Sequence, residues 1–253
     1  MPRIISWFSC GAASAIATKL ALAEHKAQRR NEEFVVAYCE TGAEHEDNER
    51  FLRECEAWFG QSIVRLKNQD YQDTWALWED RRYLAGIDGA PCTVELKVVP
   101  RLEFQLPDDI HVFGYTADRN DAERARLLKA NYPELTIWVP LIDKGITKQS
   151  TLAMIMSSGI GLPILYSLGF ANNNCLPYVK ATSPSYWALV RKHFPAQFER
   201  MAKLSRMLDV RLCRINGERA FIDEIPLDHP TTNPIAPSCD FLCHIAEQDL
   251  QPA

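Results

Sequence analysis

Six small residues, Ser9-Cys10-Gly11-Ala12-Ala13-Ser14, separate an apolar run from a helical stretch. Small side chains let a backbone come close to a phosphate. The free N–H groups of a helix start point at such an anion, and the helix dipole favours its charge. Hydroxyls on Ser9 and Ser14 add donors. A second polar loop, Glu40-Thr41-Gly42-Ala43-Glu44-His45, follows another apolar run and reads the same way. Lys97 and Arg101 stand four residues apart on one helix face. Lys97 reads as a cationic arm for a phosphate or sulfate, whereas Arg101 reads as part of a solvated face. Of Arg119, Arg124 and Arg126, one is expected to reach the phosphates and the others to lie on the surface.

The eight cysteines carry the other chemistry. Cys92 begins a helix, Cys175 sits in a polar loop, and Cys239 and Cys243 stand in an irregular tail. Thiolates so placed can converge on a metal. Cys39, Cys55 and Cys213 fall in strand or helix patterns and read as core. Cys10, beside a helix start, has a reason to ionise and reads as a reactive thiol. The six histidines show no metal-ligand spacing, and no Ser-His-Asp order is present. The lack of Gly-x-x-x-x-Gly-Lys-Ser/Thr removes the P-loop nucleotide hydrolases.

These residues need elements to position them. Residues 3–8 read as a strand, 15–30 as a helix, 34–39 as a strand, 46–59 as an amphipathic helix and 62–66 as a third strand. Helices over 71–83, 93–104, 118–131 and 148–157 follow, with strands at 109–115 and 136–139. Such alternation predicts an α/β fold: an open, mostly parallel five-stranded twisted sheet with helices on both faces. Ligands of such sheets bind at the carboxyl ends of the strands, so the 9–14 and 40–45 loops should face one cleft. From about Gly159 the alternation breaks. Helices over 183–193 and 196–208 and a hairpin turning at Asn216-Gly217 suggest a mainly helical C-terminal appendage. The division expected is a sheet domain over 1–158 and an appendage over 159–253.

Bulk composition narrows the class. The 253 residues are 47% apolar and 24% charged, which are globular values. A net charge of −5 does not favour nucleic acid as a partner. No apolar run reaches the roughly 18 residues of a membrane span, and the first residues lack a signal-peptide pattern. A cytoplasmic location is expected, with the cysteines as thiols or metal ligands rather than disulfides.

The order of motifs resembles the adenine nucleotide alpha-hydrolase superfamily, and within it the phosphoadenylyl-sulfate reductase-like branch. That group's pyrophosphate loop reads Ser-Gly-Gly-x-Asp-Ser. Ser9, Gly11 and Ser14 match it, while Cys10 replaces a Gly and Ala13 replaces the Asp. Its Asp-Thr-Gly-x-Glu is matched by Glu40-Thr41-Gly42-Ala43-Glu44, and its Cys-x-x-x-x-Lys-x-x-Pro by Cys92 through Lys97 to Pro100. Gly114 to Arg124 resembles the stretched Gly-x-x-x-x-Glu-x-x-Arg segment, and Pro140-Leu141 through Thr147 the Pro-Leu element. The tail, Ser238-Cys239-Asp240-Phe241-Leu242-Cys243-His244, departs from the reductases' Glu-Cys-Gly-x-His.

The resemblance implies an enzyme that binds ATP or a related adenine nucleotide. Ser9, Cys10, Gly11, Ala12, Ala13 and Ser14 would hold phosphates, with Gly114, Arg119 and Arg124 near them. Tyr38, Thr41 and Gly42 would line the adenosine, and Ser14 and Lys97 would serve catalysis. With ATP and Mg²⁺ the reaction would be cleavage between the α- and β-phosphates, adenylating an unidentified acceptor. With a sulfated adenylate, a cysteine thiolate would attack sulfur, Cys243 being the candidate by order. A third outcome, with Ala13 as the missing acid, is an inactive nucleotide- or metal-binding module. Cys92, Cys175, Cys239 and Cys243 would bind a [4Fe-4S] cluster, with zinc as the lesser alternative. The acceptor and the oligomeric state are left open by the sequence.

Overall fold

The structure is a computed structural model that describes residues 2–28, 31–86, 89–173, 175–238 and 246–247. Its centre is a five-stranded, wholly parallel sheet in the order β3-β2-β1-β4-β5. The strands are β1 (Arg3–Trp7), β2 (Glu33–Glu40), β3 (Ile63–Lys67), β4 (Ile110–Val112) and β5 (Thr136–Trp138). Parallel strands are covered on both faces and so read as unbroken apolar runs. Ile4 and Ile5 in β1 and Val35 to Tyr38 in β2 are buried accordingly. The α/β class and the parallel sheet agree with the sequence reading.

Between the strands run α1 (Ala12–Ala27), α2 (Asn48–Phe59) and α3 (Thr74–Arg81). Helix α1 starts three residues earlier than its apolar periodicity suggests, because the small residues of the loop already form its first turn. Most of its residues are buried, since it lies between the sheet and a later helix. Helix α2 buries Phe51, Leu52, Cys55 and Phe59, and Gly60 closes it at φ 74°. Phe8 stacks on Phe51 and meets Phe59 edge-on, which ties the start of the first loop to α2.

Residues 91–104 form one helical run with an interruption. It is α-helical over α4 (Pro91–Thr93), widens to a π turn over Val94–Val98, and returns to α-helix as α5 (Val99–Phe104). Pro100 explains the widening. It has no N–H to give, and its ring would crowd the carbonyl one turn back. The π turn carries Lys97.

Beyond it come α6 (Arg119–Asn131), α7 (Pro140–Asp143), α8 (Lys148–Ser157) and α9 (Ile164–Ser167). They are followed by α10 (Pro184–His193), α11 (Pro195–Met207) and the antiparallel pair β6 (Cys213–Ile215) and β7 (Glu218–Ala220). Asn216 and Gly217 turn that hairpin with φ of 51° and 87°, as a tight two-residue turn requires. One apolar cluster surrounds α1, Phe8, Phe51 and Leu152; another joins Trp75 and Trp78 to Trp187, Phe198 and Ile222. Among the described residues no helix is long and apolar enough to cross a membrane.

Candidate active site

Strand order reverses at β1. From it the chain moves outward through β2 and β3 on one side, and β4 and β5 lie on the other. Loops leaving the carboxyl ends of β1 and β4 therefore part and leave a crevice. A cavity of about 960 Å³ lies there, lined by the 9–14 loop, by the chain from Phe113 to Arg124, and by Lys97, Arg101 and Lys148.

The first loop is held by its own hydroxyls. Ser14 Oγ accepts from the amide of Ser9 at 3.0 Å and from Ser9 Oγ at 3.1 Å, and donates to the carbonyl of Gly11 at 2.9 Å. Cys10 adopts a left-handed φ of 58°, and its carbonyl accepts from Asn173 Nδ2 at 2.6 Å. Asn173 also donates to Asn48 Oδ1 at 2.8 Å, so α2 and the 172–173 segment brace the loop from behind. Tyr166 Oη accepts from the amide of Ala12 at 3.3 Å. Burial pushes that phenol up to about 12, so it stays protonated. The amides of Ala13 and Ser14 stand in the first turn of α1, where the helix offers them no acceptor.

On the other side of the crevice, Gly114 presses on the same turn. A Cβ there would stand 2.6 Å from Ser14 Cα and 2.8 Å from Ser14 N. Only glycine permits β4 and the start of α1 to come this close.

The second loop is wound round one carboxylate. Glu44 Oε1 accepts from the amide of Thr41 at 2.8 Å and from its hydroxyl at 2.6 Å; Oε2 accepts from Ala43 N at 3.1 Å. Those amides are thus occupied by Glu44. Gly42, at φ 67°, has no room for a Cβ, which would lie 2.4 Å from the carbonyl oxygen of Gln72. Its role is to let the loop close against residues 72–73.

Four cationic side chains, Lys97, Arg101, Arg124 and Lys148, line the cleft. Its acids, Glu44, Asp118 and Asp121, are largely spoken for. Asp118 Oδ2 accepts from Thr116 Oγ1 at 2.9 Å and Lys148 N at 2.8 Å, while Asp121 accepts from Thr116 and Arg124. In a protein of net charge −5 the cleft thus sets four cationic side chains against three carboxylates, one of them paired with Arg124. Lys148 Nζ lies over the Tyr166 ring and donates to Asn172 Oδ1. Burial lowers its pKa, with Asp121 and Asp118 opposing the fall. Lys97 has accessible surface, but that surface faces the cleft. Burial pulls its pKa down, yet Cys175, Glu44, Cys92 and Cys39 outweigh it and the ammonium is held above its usual range.

Cys39 and Cys175 also line the cleft. Cys175 Sγ is 3.0 Å from Thr41 Oγ1. Cys92 packs beside the second apolar cluster, and burial raises its pKa, helped by the charge of Cys175. Cys92 and Cys175 are therefore near each other. Cys239 and Cys243 lie outside the described residues, and among the described residues no group of three or more His, Cys, Asp or Glu could hold a metal.

The structure thus gathers Ser9, Gly11, Ala13, Ser14, Tyr38, Lys97, Gly114, Arg124 and Cys175 on one cavity. Cys10, Ala12, Thr41, Gly42 and Cys92 do not line it, and neither does Arg119, exposed at the start of α6. Three readings are corrected. Cys39, read as core, is half-buried on the wall of the cleft, where β2 ends. Cys10 is fully buried and burial pushes its thiol far up, which overrides any help from the helix dipole. Arg101 is not on a solvated face but is 8% exposed. Lys148, Tyr166 and Asn173 were missed, since they reach the loop only through tertiary contact; the one sequence signal was the Pro-Leu…Thr element that ends just before Lys148.

No protein-family model matches the sequence, and no curated protein matches it. Among solved structures, the chain is similar to a phosphoadenylyl-sulfate reductase from Candida auris in a phosphate complex, with a TM-score of 0.49 and 12% identity over 70% of this chain and 83% of that one.

Proposed function

We propose that the chain is an enzyme that binds an adenine nucleotide in the crevice between β1 and β4. The observation that carries this reading is a loop of small residues at a helix start, facing four cationic side chains across one cavity. In this reading the amides of Ala13 and Ser14 meet the phosphates, and Ser14 shapes the loop that presents them. Lys97, Lys148 and Arg124 neutralise their charge, and Tyr38 bounds the nucleoside side. With ATP as ligand the reaction is cleavage between the α- and β-phosphates with adenylation of an acceptor. Catalysis then rests on positioning and charge stabilisation. Mg²⁺ carried by the nucleotide's phosphates would supply further charge neutralisation.

A second reading, reduction of a sulfated adenylate, is favoured by the thiols of Cys39 and Cys175 on the cavity wall. The proximity of Cys92 to Cys175 also fits a shared metal site completed by Cys239 and Cys243. Calorimetric titration with ATP, followed by assay of pyrophosphate release, tests the first reading. Binding with release supports it, binding without release with any acceptor points to a module, and no binding of any adenine nucleotide sinks it. Iron and zinc analysis of anaerobically purified protein tests the cluster separately. Roughly four irons per chain are expected; absence of metal removes that part alone.

A further inference from the structure

Two thiols from distant parts of the chain meet beside the cleft. Cys92 stands in α4 and Cys175 in the loop that follows α9, and both are half-buried. The segment 175–180 is fastened at each end. The amide of Leu176 donates to the carbonyl of Ala43 at 2.7 Å, in the second loop. Lys180 Nζ donates to Thr93 Oγ1 at 3.1 Å, in the residue next to Cys92. Between these ties Leu176 and Val179 are buried in the apolar cluster that holds Trp78 and Ala90, and Cys92 packs against the same cluster. Lys97 and Cys92 both sense the charge of Cys175, and Lys97 senses that of Cys92, so one ammonium stands by both sulfurs.

Neither sulfur is firmly held. Thr41 Oγ1 spends its proton on Glu44 Oε1 at 2.6 Å, so at 3.0 Å it accepts from the Cys175 thiol, a weak donor. Trp78 Nε1 is buried with no conventional hydrogen-bond partner, and its N–H bears on the Cys92 sulfur. Access separates this pair from the other thiols. Cys175 lines the cleft. Cys10 and Cys55 also sense one another, but each is 0% exposed and out of an oxidant's reach. Cys39 lines the cleft too, yet its sulfur is turned to the carbonyl of Lys97 at 3.7 Å and no described thiol bears on it.

We propose that Cys92 and Cys175 are a redox modification site: a hydroperoxide oxidises them to a disulfide, and a dithiol reductant restores them. The more accessible thiol reacts first. Cys175 takes the terminal peroxide oxygen, giving a sulfenic acid as the O–O bond breaks and an alcohol leaves, or water in the case of hydrogen peroxide. Cys92 then attacks that sulfur; the S–S bond forms, and the proton of Cys92 leaves with the hydroxyl as water. Two electrons and two thiol hydrogens pass to the peroxide, so no further reactant is needed. The bridge takes Cys175 off Thr41 and ties its loop to α4, just ahead of the π turn that carries Lys97. Oxidation thereby switches the cleft to a form of weak affinity, a consequence that rests on the nucleotide reading. A metal would need the same two sulfurs, so metal and bridge exclude each other.

The test is peptide mapping by mass spectrometry on the full chain, as purified and after chelation of any metal, with hydrogen peroxide as the probe. A linked peptide joining Cys92 to Cys175 is expected, and dithiothreitol should abolish it. In Cys92→Ser, dimedone should trap a sulfenic acid on Cys175; in Cys175→Ser, Cys92 should stay reduced. No linkage in either preparation, with the protein still folded by circular dichroism, overturns the proposal. Linkage through Cys39 or Cys10 instead also overturns it. Calorimetry with ATP reads the switch separately. The oxidised chain should bind about tenfold more weakly or worse, and dithiothreitol should recover the affinity. Equal affinity of the two forms overturns the switch and leaves the disulfide site standing. If neither form binds ATP, the nucleotide reading fails, and the mapping still decides the thiol pair.

Discussion

Gly114 and Ser14 meet backbone to backbone: a Cβ on Gly114 would stand 2.6 Å from Ser14 Cα. Strand β4 thereby sets the position of the first turn of α1, where the loop amides are. Gly114→Ala forces that turn away. Overpacking of this kind destabilises by about 1–3 kcal/mol. The expected result is a lower melting midpoint with loss of nucleotide binding at temperatures where the variant is still folded. An unchanged nucleotide affinity would show that the turn does not hold the ligand.

Lys148 faces the loop from α8, and burial lowers its pKa from the usual lysine value. The charged form is the one that attracts phosphate. Affinity for ATP should therefore fall as pH rises through a pKa lower than that of an ordinary lysine. The unfolded chain holds this proton more tightly, so the same lysine makes the ligand-free fold gain stability as pH rises through that window. Lys148→Met should weaken ATP about 10- to 100-fold, remove that alkaline limb and leave adenosine binding unchanged, as read by calorimetry across pH.

Arg3 and Asp109 tie β1 to the start of β4 through a 2.7 Å ion pair in which Asp109 is 1% exposed. Burial alone would raise this carboxyl, but the hydrogen bonds from Arg3 and the Leu106 amide outweigh it and hold it below its ordinary value. A carboxyl lowered on folding contributes stability that is present above its unfolded pKa and is lost as pH falls through the folded one. Asp109→Asn should cost about 3 kcal/mol near neutral pH and flatten the acid limb of a urea-denaturation series. A parallel limb in both proteins would assign acid unfolding elsewhere.

The thiols differ in access. Cys10, Cys55 and Cys213 are buried, with pKa values raised by burial; burial also raises Cys39, to about 11, but Cys39 and Cys175 are only half-buried and stand on the cavity wall. Timed alkylation read by mass spectrometry should label Cys175 and Cys39 well before Cys10, and ATP should slow both. Early labelling of Cys10 in folded protein would contradict the packing of the loop.

Sequence alone determined the sheet. Unbroken apolar runs alternating with amphipathic helices leave little choice but parallel strands, and a small-residue loop before α1 marks where an anion can approach. Local pattern also sufficed for the Asn216-Gly217 hairpin, since such a turn is decided by two residues. Tertiary structure decided which side chains meet. Ser14 was legible as a donor, but its hydroxyl is used within the loop, a fact that depends on how the backbone of residues 9–11 folds over it. Lys148 and Tyr166 come from more than 130 residues away in sequence, and no spacing rule connects them to Ala12. Arg101 is the sharpest case. Its i,i+4 spacing from Lys97 is that of many solvated pairs, and helical periodicity alone does not tell an inner face from an outer one. Packing against Tyr132 on a helix widened before Pro100 turned it inward. A charge's burial is a property of everything around it, and that is set by the fold.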